Sequence, residues 1–154
     1  MDALLNAVMR PLVRLQMDGK VPLAKAMGVT LLNMGNGVAS SALAAKPELM
    51  DELGHVHPCA VFTLAETCSG GAMAGGFASV ILKVRPVAAQ VDFETLAPAQ
   101  GRCIARSRID GDVPALKQEL RKAGKVFFPV LVDVMDEQGR DVARMRVLWN
   151  LKRT

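Results

Sequence analysis

The chain begins with a hydrophobic spacing that is typical of helices. Within residues 2–17 apolar side chains recur every three or four positions, which predicts an amphipathic helix that Pro11 breaks or kinks. Leu23–Met27 suits a further helical turn. We expect residues 1–27 to form a helical cover over the core.

A strand-like segment and an apolar segment follow. Residues 28–45 contain two β-compatible runs around Gly35-Asn36-Gly37, a sequence that favours a hairpin turn. Residues 58–75 are apolar on nearly every side, which predicts a buried helix. Pro58 suits the first turn of this helix because its missing N–H is not needed there, and His57 would lie at or near the cap.

The remainder of the chain has the composition of strands interrupted by one polar helix, predicted over residues 113–123. The turn Glu137-Gln138-Gly139 separates the last two strands. The runs that suit strands are residues 79–86, 87–98, 101–109, 125–136 and 140–153. This order predicts an α+β fold in which one curved antiparallel sheet wraps around a central helix, within a single domain over residues 1–154.

Composition limits the classes of partner. Apolar residues make up 51% of the chain and aromatic residues 4%, so aliphatic side chains and methionines must form the core. The net charge is +4, and no aromatic residues are interleaved with the basic ones, so we expect no nucleic-acid partner. The densest basic positions would equally suit a phosphate-bearing molecule such as CoA; they are Arg144, Arg146, Lys152 and Arg153.

The cysteines and the apolar segments bear on location. Cys59, Cys68 and Cys103 form no paired or zinc-like motif, so reduced thiols in the cytoplasm are the simplest account. We find no signal-peptide pattern and no stretch long and apolar enough to span a bilayer. The sequence therefore predicts a cytoplasmic protein with no membrane span, no metal and no cofactor.

Glu66 is the most informative residue because it interrupts the apolar helix. A carboxylate among apolar neighbours is costly, and burial raises its pKa. Such a group near a cleft suits a general base or a nucleophile. In the alternative interpretation, backbone groups or an arginine satisfy Glu66, or it lies on a narrow polar stripe with Thr63 and Ser69.

The start of the same helix is a second candidate feature. Its first N–H groups, at Cys59, Ala60 and Val61, are expected to be free and could hold a thioester oxygen that gains charge. Glu66 lies eight residues beyond Pro58, which corresponds to roughly 12 Å along a helix. If both features serve one reaction, a second subunit must supply one of them.

The segment HVHPCAVFTLAETCSGGAMAG, residues 55–75, resembles the central-helix motif of hotdog-fold acyl-CoA thioesterases. The runs VAAQVDFETLAPAQGRCIA and VDVMDEQGRDVARMRVLW resemble the family's later strands. Together these stretches cover most of residues 28–151. The chain resembles the phenylacetyl-CoA and 4-hydroxybenzoyl-CoA thioesterase type, within a poorly characterised branch that carries an extra helix like that over residues 113–123.

The resemblance implies a hotdog fold, an acyl-CoA substrate and a homodimer, often paired into a tetramer, with active sites at the subunit interface. It implies that Glu66 is the base or nucleophile and that His57, Pro58 and Cys59 form the oxyanion-hole segment. The candidate catalytic residues are therefore Glu66, Cys59 and His57, and the candidate substrate-binding residues are Asp51, His55, Pro58, Ala60, Thr67 and Gly70.

Two departures from the family pattern open an alternative. Pro58 replaces a glycine and has no N–H to donate, and Asp51 stands where the family often has Asn or Gln. These residues favour a non-catalytic acyl-CoA or lipid-binding module with the same fold. A third interpretation is a hotdog dehydratase, which would require His55 or His57 to face a carboxylate across the site.

Two smaller alternatives concern the same loop. Cys59 at a helix start could act as a nucleophile with His57. The two histidines with Asp51 could be imagined as a metal site, but a His-x-His spacing in a loop is common by chance. A capping or loop-packing role is the simpler interpretation of these side chains.

Overall fold

The computed structural model describes Val8, Pro11 and residues 21–154 of the chain. The helix predicted over residues 2–17, and with it most of the cover predicted over 1–27, therefore lies outside the described residues. The helices are α1 (Pro22–Met27), α2 (Pro58–Gly76) and α3 (Val113–Ala123), and the strands are β1 (Val29–Gly35), β2 (Val38–Leu43), β3 (Val84–Thr95), β4 (Cys103–Ile109), β5 (Lys125–Met135) and β6 (Asp141–Arg153). Short 3₁₀ turns cover Pro47–Leu49 and Ile81–Lys83.

The strands form one antiparallel sheet in the order β1-β2-β4-β5-β6-β3. Alternate residues of β5, from Val126 to Val134, are buried, as expected for a sheet with one covered face. The helix α2 packs against β1, β2, β4, β5 and β6, so the sheet wraps around it. The predicted α+β architecture is confirmed.

The hairpin turn between β1 and β2 approaches the end of α2 closely. Asn36 and Gly37 have φ angles of 55° and 82°, which are the left-handed values that a two-residue turn requires. A Cβ atom at Gly75 would lie 3.1 Å from the Gly35 nitrogen, and one at Gly76 would lie 3.3 Å from the Gly37 Cα. The small residues on both sides therefore permit direct contact between the helix and the hairpin.

The region before β4 differs from the prediction. Residues 79–86 and 87–98 do not form separate strands, because the chain forms the Ile81–Lys83 turn and then the single strand β3. Pro86 lies inside this strand, opposite Leu151 of β6. β3 is an edge strand, where a missing N–H is tolerated, so the proline does not end it.

Two further findings concern the state of the cysteines and the hydrophobicity of the helices. Cys68 and Cys103 are buried, Cys59 is exposed, and all three thiols are free. None of the helices in the described part of the chain is long and apolar enough to cross a membrane.

Candidate active site

Glu66 lies in the middle of α2, on the side of the helix that the sheet leaves least covered. Phe62, one turn earlier, is 36% exposed, and Thr63 and Glu66 are half-buried. On the opposite side Leu64 and Ala65 are completely buried. The helix therefore holds the carboxylate at the boundary between the core and the surface.

The Glu66 carboxylate has no partner in the described part of the chain. No hydrogen bond or ion pair there reaches it, so the interpretation in which backbone or an arginine satisfies this residue is not supported. Burial raises its pKa above the usual range for glutamate. A carboxylate that is partly desolvated and unpaired can accept a proton or attack an electrophile.

The polar stripe proposed for Glu66 is not continuous. Ser69 is buried; its hydroxyl donates to the Glu66 backbone carbonyl at 2.6 Å and accepts from Trp149 Nε1 at 3.3 Å. Thr63 donates to the Cys59 carbonyl at 3.0 Å. Both hydroxyls are therefore used inside the helix or the core, and neither is a partner of the Glu66 side chain.

The first amides of α2 all bond to His57. The imidazole Nδ1 of His57 accepts from the Cys59 N–H at 3.0 Å, and its backbone carbonyl accepts from Ala60 and Val61 at 2.9 and 3.1 Å. The expectation of free N–H groups at these positions is wrong in this structure, because the residue before Pro58 serves as the cap. Only the Cys59 amide is held by a side chain that could rotate away.

Asp51 fixes the loop that leads into α2. Its Oδ1 accepts from the amides of Leu53 and His55, each at 2.9 Å, and its Oδ2 lies 3.6 Å from His55 Nδ1. The hydrogen bond from the His55 amide is the main cause that lowers the pKa of Asp51. The carboxylate therefore stays ionised and holds the loop closed, which is the loop-packing role considered for these side chains.

A cavity of about 410 Å³ opens beside this loop and the amino end of α2. Three of the predicted site residues, Asp51, His55 and Pro58, line it. Phe93, residues 95–99 and Val142 supply a largely apolar wall. The cavity thus combines a polar entrance loop with an apolar surface.

The remaining predicted site residues do not line this cavity. They are Glu66, His57, Cys59, Ala60, Thr67 and Gly70. Ala60 and Gly70 are buried, and the Thr67 hydroxyl is buried without a hydrogen-bond partner in the described part of the chain. Glu66 lies two helical turns, roughly 12 Å, from Pro58. One copy of the chain therefore does not bring the carboxylate and the helix start together.

The cysteines differ in their chemistry. Burial raises the pKa of the Cys103 thiol to about 11 and also raises that of Cys68, so both thiols stay protonated. Cys59 is exposed, but within the described residues no hydrogen bond joins its sulfur to His57, whose Nδ1 is already engaged. The arrangement does not favour Cys59 as a nucleophile.

The alternative of a metal site involves the two histidines and Asp51 of the same loop. Among Val8, Pro11 and residues 21–154, no three or more histidine, cysteine or acidic side chains lie together as a metal ion would require. Asp51 and His55 bond to each other and to the loop instead.

The apolar wall of the cavity was not among the predicted site residues. It includes Phe93, which lies in β3 near the end of the strand, and Leu96 and Pro98, which follow it. Phe93 also packs edge-on against Phe62 of α2, with ring centroids 5.2 Å apart. The sequence offers one signal for this wall. Pro98 followed by Gly101 indicates that the chain reverses direction after a strand.

Comparisons with known proteins agree with this architecture. A protein of unknown function from Pseudomonas aeruginosa, described as a "probable thioesterase", is 24% identical, with a TM-score of 0.79 over 94% of this chain and 96% of that one. The E. coli PaaI protein of the phenylacetic acid degradation operon is 18% identical, with a TM-score of 0.69 over 90% and 88%. A thioesterase enzyme from Staphylococcus aureus, solved as a mutant, is 16% identical, with a TM-score of 0.69 over 84% and 98%.

The antiparallel sheet around one long helix is therefore a hotdog fold, as the resemblance implied. A family model described as "Domain of unknown function (DUF4442)" matches residues 10–151. The chain belongs to this family, which is consistent with a poorly characterised branch of the hotdog proteins. The comparison with curated proteins gives no match.

Proposed function

We propose that this protein is an acyl-CoA thioesterase that uses Glu66 as its general base or nucleophile. The observation that carries the proposal is the half-buried carboxylate with a raised pKa and no partner among the described residues, in the middle of the central helix. Structural relatives named as thioesterases support the reaction class.

The proposed reaction is hydrolysis of the thioester bond. In the base-catalysed form, Glu66 takes a proton from water while the water oxygen bonds to the carbonyl carbon. The tetrahedral intermediate then collapses, the carbon–sulfur bond breaks, and the CoA thiolate takes up a proton. The products are the free acid and CoA. In the nucleophilic form, Glu66 Oε bonds to the carbonyl carbon, the carbon–sulfur bond breaks and CoA leaves as the thiolate, which takes up a proton. Water then attacks the resulting acyl–glutamate anhydride, which releases the free acid and restores the Glu66 carboxylate.

The negative charge on the carbonyl oxygen needs a hydrogen-bond donor. The Cys59 N–H is the best candidate, because its partner is the His57 side chain rather than a backbone carbonyl. We expect His57 to rotate away when the substrate carbonyl binds. The helix start favours negative charge through its dipole, whereas the ionised Asp51 nearby opposes it.

A second copy of the chain completes the proposed site. Glu66 of one copy would face the helix start and cavity of its partner, since within one chain the two are separated by two helical turns. Phe62, exposed beside Glu66, supplies apolar surface for such an interface. We therefore expect a homodimer as the smallest active form, with pairing into a tetramer as a further possibility for assembly.

The cavity suits an apolar acyl group. Its wall is built from Phe93, residues 95–99 and Val142, and the polar side chains of Asp51 and His55 lie in the entrance loop. Its volume of about 410 Å³ lies within the range of small-ligand sites, roughly 300–1,000 Å³. We expect medium-length or aryl acyl chains to fit.

The test is a panel of short, medium and aryl acyl-CoAs, with released thiol measured for the wild type and Glu66→Ala. We expect hydrolysis by the wild type and a loss of roughly a hundredfold or more in Glu66→Ala. A wild type that hydrolyses none of the panel would contradict the proposal.

A second candidate function is a non-catalytic acyl-CoA or lipid-binding module. Three features of the helix start favour it: Pro58 has no N–H, His57 occupies the Cys59 amide, and Asp51 places a carboxylate on the cavity. Calorimetric binding of acyl-CoA with no thiol release, equal in the wild type and Glu66→Ala, would establish this function instead.

The cytoplasmic location and the single-domain organisation over residues 1–154 stay predictions. The three free thiols are compatible with a reducing compartment. The match of the family model to residues 10–151 is compatible with one domain.

A further inference from the structure

A second cavity, of about 200 Å³, lies far from the first one. It is enclosed by the Ile81–Lys83 turn, the start of β3, one side of α3 and the end of β6. β3 begins beside this cavity at Val84, whereas its other end, near Phe93 and Thr95, borders the cavity at the start of α2. An extended strand of this kind rises about 3.3 Å per residue, so the two cavities are at opposite ends of the sheet.

Four basic side chains and no acidic side chain line this cavity. They are Lys83, Lys117, Arg121 and Arg153. Within the described residues, the ion pairs of the chain involve other basic groups, so these four cations have no acidic partner there. A concave surface with one sign of charge concentrates ions of the opposite sign.

The cavity walls are held by the backbone and by the core. The Thr154 N–H donates to the Lys83 carbonyl at 3.1 Å, and the Arg153 N–H donates to the Gly124 carbonyl at 2.9 Å. Leu120 of α3, only 2% exposed, packs behind the basic residues. The stems of the charged side chains therefore start from fixed positions.

The charge arrangement costs stability when nothing neutralises it. Lys117 and Arg121 are four residues apart on α3, a spacing at which like charges repel. An anion bound in the cavity would relieve the repulsion between Lys117 and Arg121.

We propose that this cavity, the basic cavity, binds the phosphate or diphosphate group of a phosphorylated ligand. Its volume is below that of sites for whole drug-sized molecules, roughly 300–1,000 Å³, so it suits a charged group rather than a complete nucleotide. Arginine guanidinium groups bind phosphate oxygens in pairs, and lysines add charge. The Ser79 hydroxyl supplies a further donor at the rim.

The binding does not depend on the proposed thioesterase reaction, because no residue of the basic cavity lines the cavity at α2. The phosphate could belong to a CoA molecule or to a free phosphate compound. Both carry the phosphate group that the four cations would bind. They differ in the rest of the molecule, which would lie outside the cavity.

The test is isothermal titration calorimetry of the whole chain with inorganic diphosphate and, separately, with CoA. The variants are the double substitution Lys117→Gln and Arg121→Gln, and as a matched control Lys122→Gln, which lies on the same helix but outside the cavity. We expect the double variant to bind diphosphate about tenfold or more weakly, as loss of charge-assisted hydrogen bonds implies, and the control to bind like the wild type.

Two further measurements identify the compound that carries the phosphate and separate this proposal from the proposed thioesterase reaction. A CoA affinity at least about tenfold above that of diphosphate would assign the site to CoA, and equal affinities would assign it to free phosphate compounds. Glu66→Gln should bind diphosphate like the wild type, whether or not the protein is a thioesterase. Circular dichroism checks that the variants fold.

The proposal is overturned if the wild type binds neither diphosphate nor CoA. It is also overturned if the folded double variant binds diphosphate as tightly as the wild type. Binding should weaken as the ionic strength rises, because salt screens exposed charges.

Discussion

At the scale of single residues, the raised pKa of Glu66 affects both the proposed reaction and the pH dependence of the free energy of unfolding. Desolvation raises its pKa in the folded protein. At a pH between the unfolded and the folded pKa, the folded state therefore holds a proton that the unfolded state has released. The contribution of Glu66 to stability is fully present below the usual glutamate pKa of about 4.3 and is lost as the pH rises through the raised value.

We therefore expect Glu66→Gln to increase the free energy of unfolding at neutral pH. The amide keeps the shape of the side chain and removes the cost of burying a charge. Urea denaturation at pH 7 and at pH 4 measures the difference, which should shrink at the lower pH, where Glu66 is mostly protonated in both states. A variant less stable than the wild type at pH 7 would show that the carboxylate has a stabilising partner.

The cysteines provide a second test at this scale. Cys59 is exposed, whereas Cys68 and Cys103 are buried with raised pKa values. A thiol-specific reagent such as Ellman's reagent should therefore react rapidly with one thiol in the native protein and with all three after unfolding. Cys59→Ser should remove the rapid reaction, and a rapid second thiol would contradict the assigned burial.

The sequence predicts the exceptional residues better than it predicts their partners. Glu66 stands out because a carboxylate within an apolar helix is rare, and the structure places it at the boundary of the core. The engagement of the Cys59 amide by His57 could not be predicted, because it depends on the rotamer of one imidazole next to Pro58. Several staggered rotamers are open to such a side chain, and sequence does not choose among them.

At the scale of elements, the contact between α2 and the first hairpin leaves no room for a larger side chain on the helix. A methyl group at Gly75 would lie 2.9 Å from the Met34 side chain and 3.1 Å from the Gly35 backbone nitrogen. The backbone atom cannot move without shifting the hairpin. Close packing against the hairpin thus accounts for the glycines at positions 75 and 76 of the helix.

We expect Gly75→Ala to lower the free energy of unfolding by about 1–3 kcal/mol, as overpacking does in other cores. Gly111→Ala is a suitable control, because its methyl group would meet only the flexible end of Leu116, at 3.3 Å. Chemical denaturation measures both. Equal stability of Gly75→Ala and the control would show that the helix and hairpin are less closely packed than described.

Local sequence patterns predict most of the helices and strands. They fail for β3, because its length depends on its position in the sheet. The hairpin around Gly35-Asn36-Gly37 and the helices near 58–75 and 113–123 follow from turn and helix signals. Pro86 suggested a break between two strands, yet β3 continues through it because it lies at the edge of the sheet. Strand order cannot be read from a local pattern.

At the scale of the whole molecule, the candidate site is divided between two regions. Glu66 occupies the middle of α2, and the cavity lies at its start, bordered by Phe93 and residues 95–99. The sequence does not identify these residues as part of the site, because they reach the helix only through the tertiary fold. The fold class was predictable from the order of elements, whereas the cavity wall was not.

The division of the site has a consequence for assembly. If two copies share each site, mixing an inactive Glu66 variant with a copy altered at the helix start should restore one intact site per mixed dimer. The exposed Phe62 beside Glu66 and the unpaired edge of β3 are the surfaces that such a dimer could use within the described part of the chain.

The most direct test of the central claim is the steady-state hydrolysis of one acyl-CoA by the wild type, Glu66→Gln and the control Glu119→Gln, an exposed carboxylate on α3. Glu66→Gln should lose roughly a hundredfold or more in kcat, and the control should match the wild type. The wild-type rate should rise with pH through a pKa above the usual glutamate value, since the base acts when ionised. Full activity in Glu66→Gln would contradict the account.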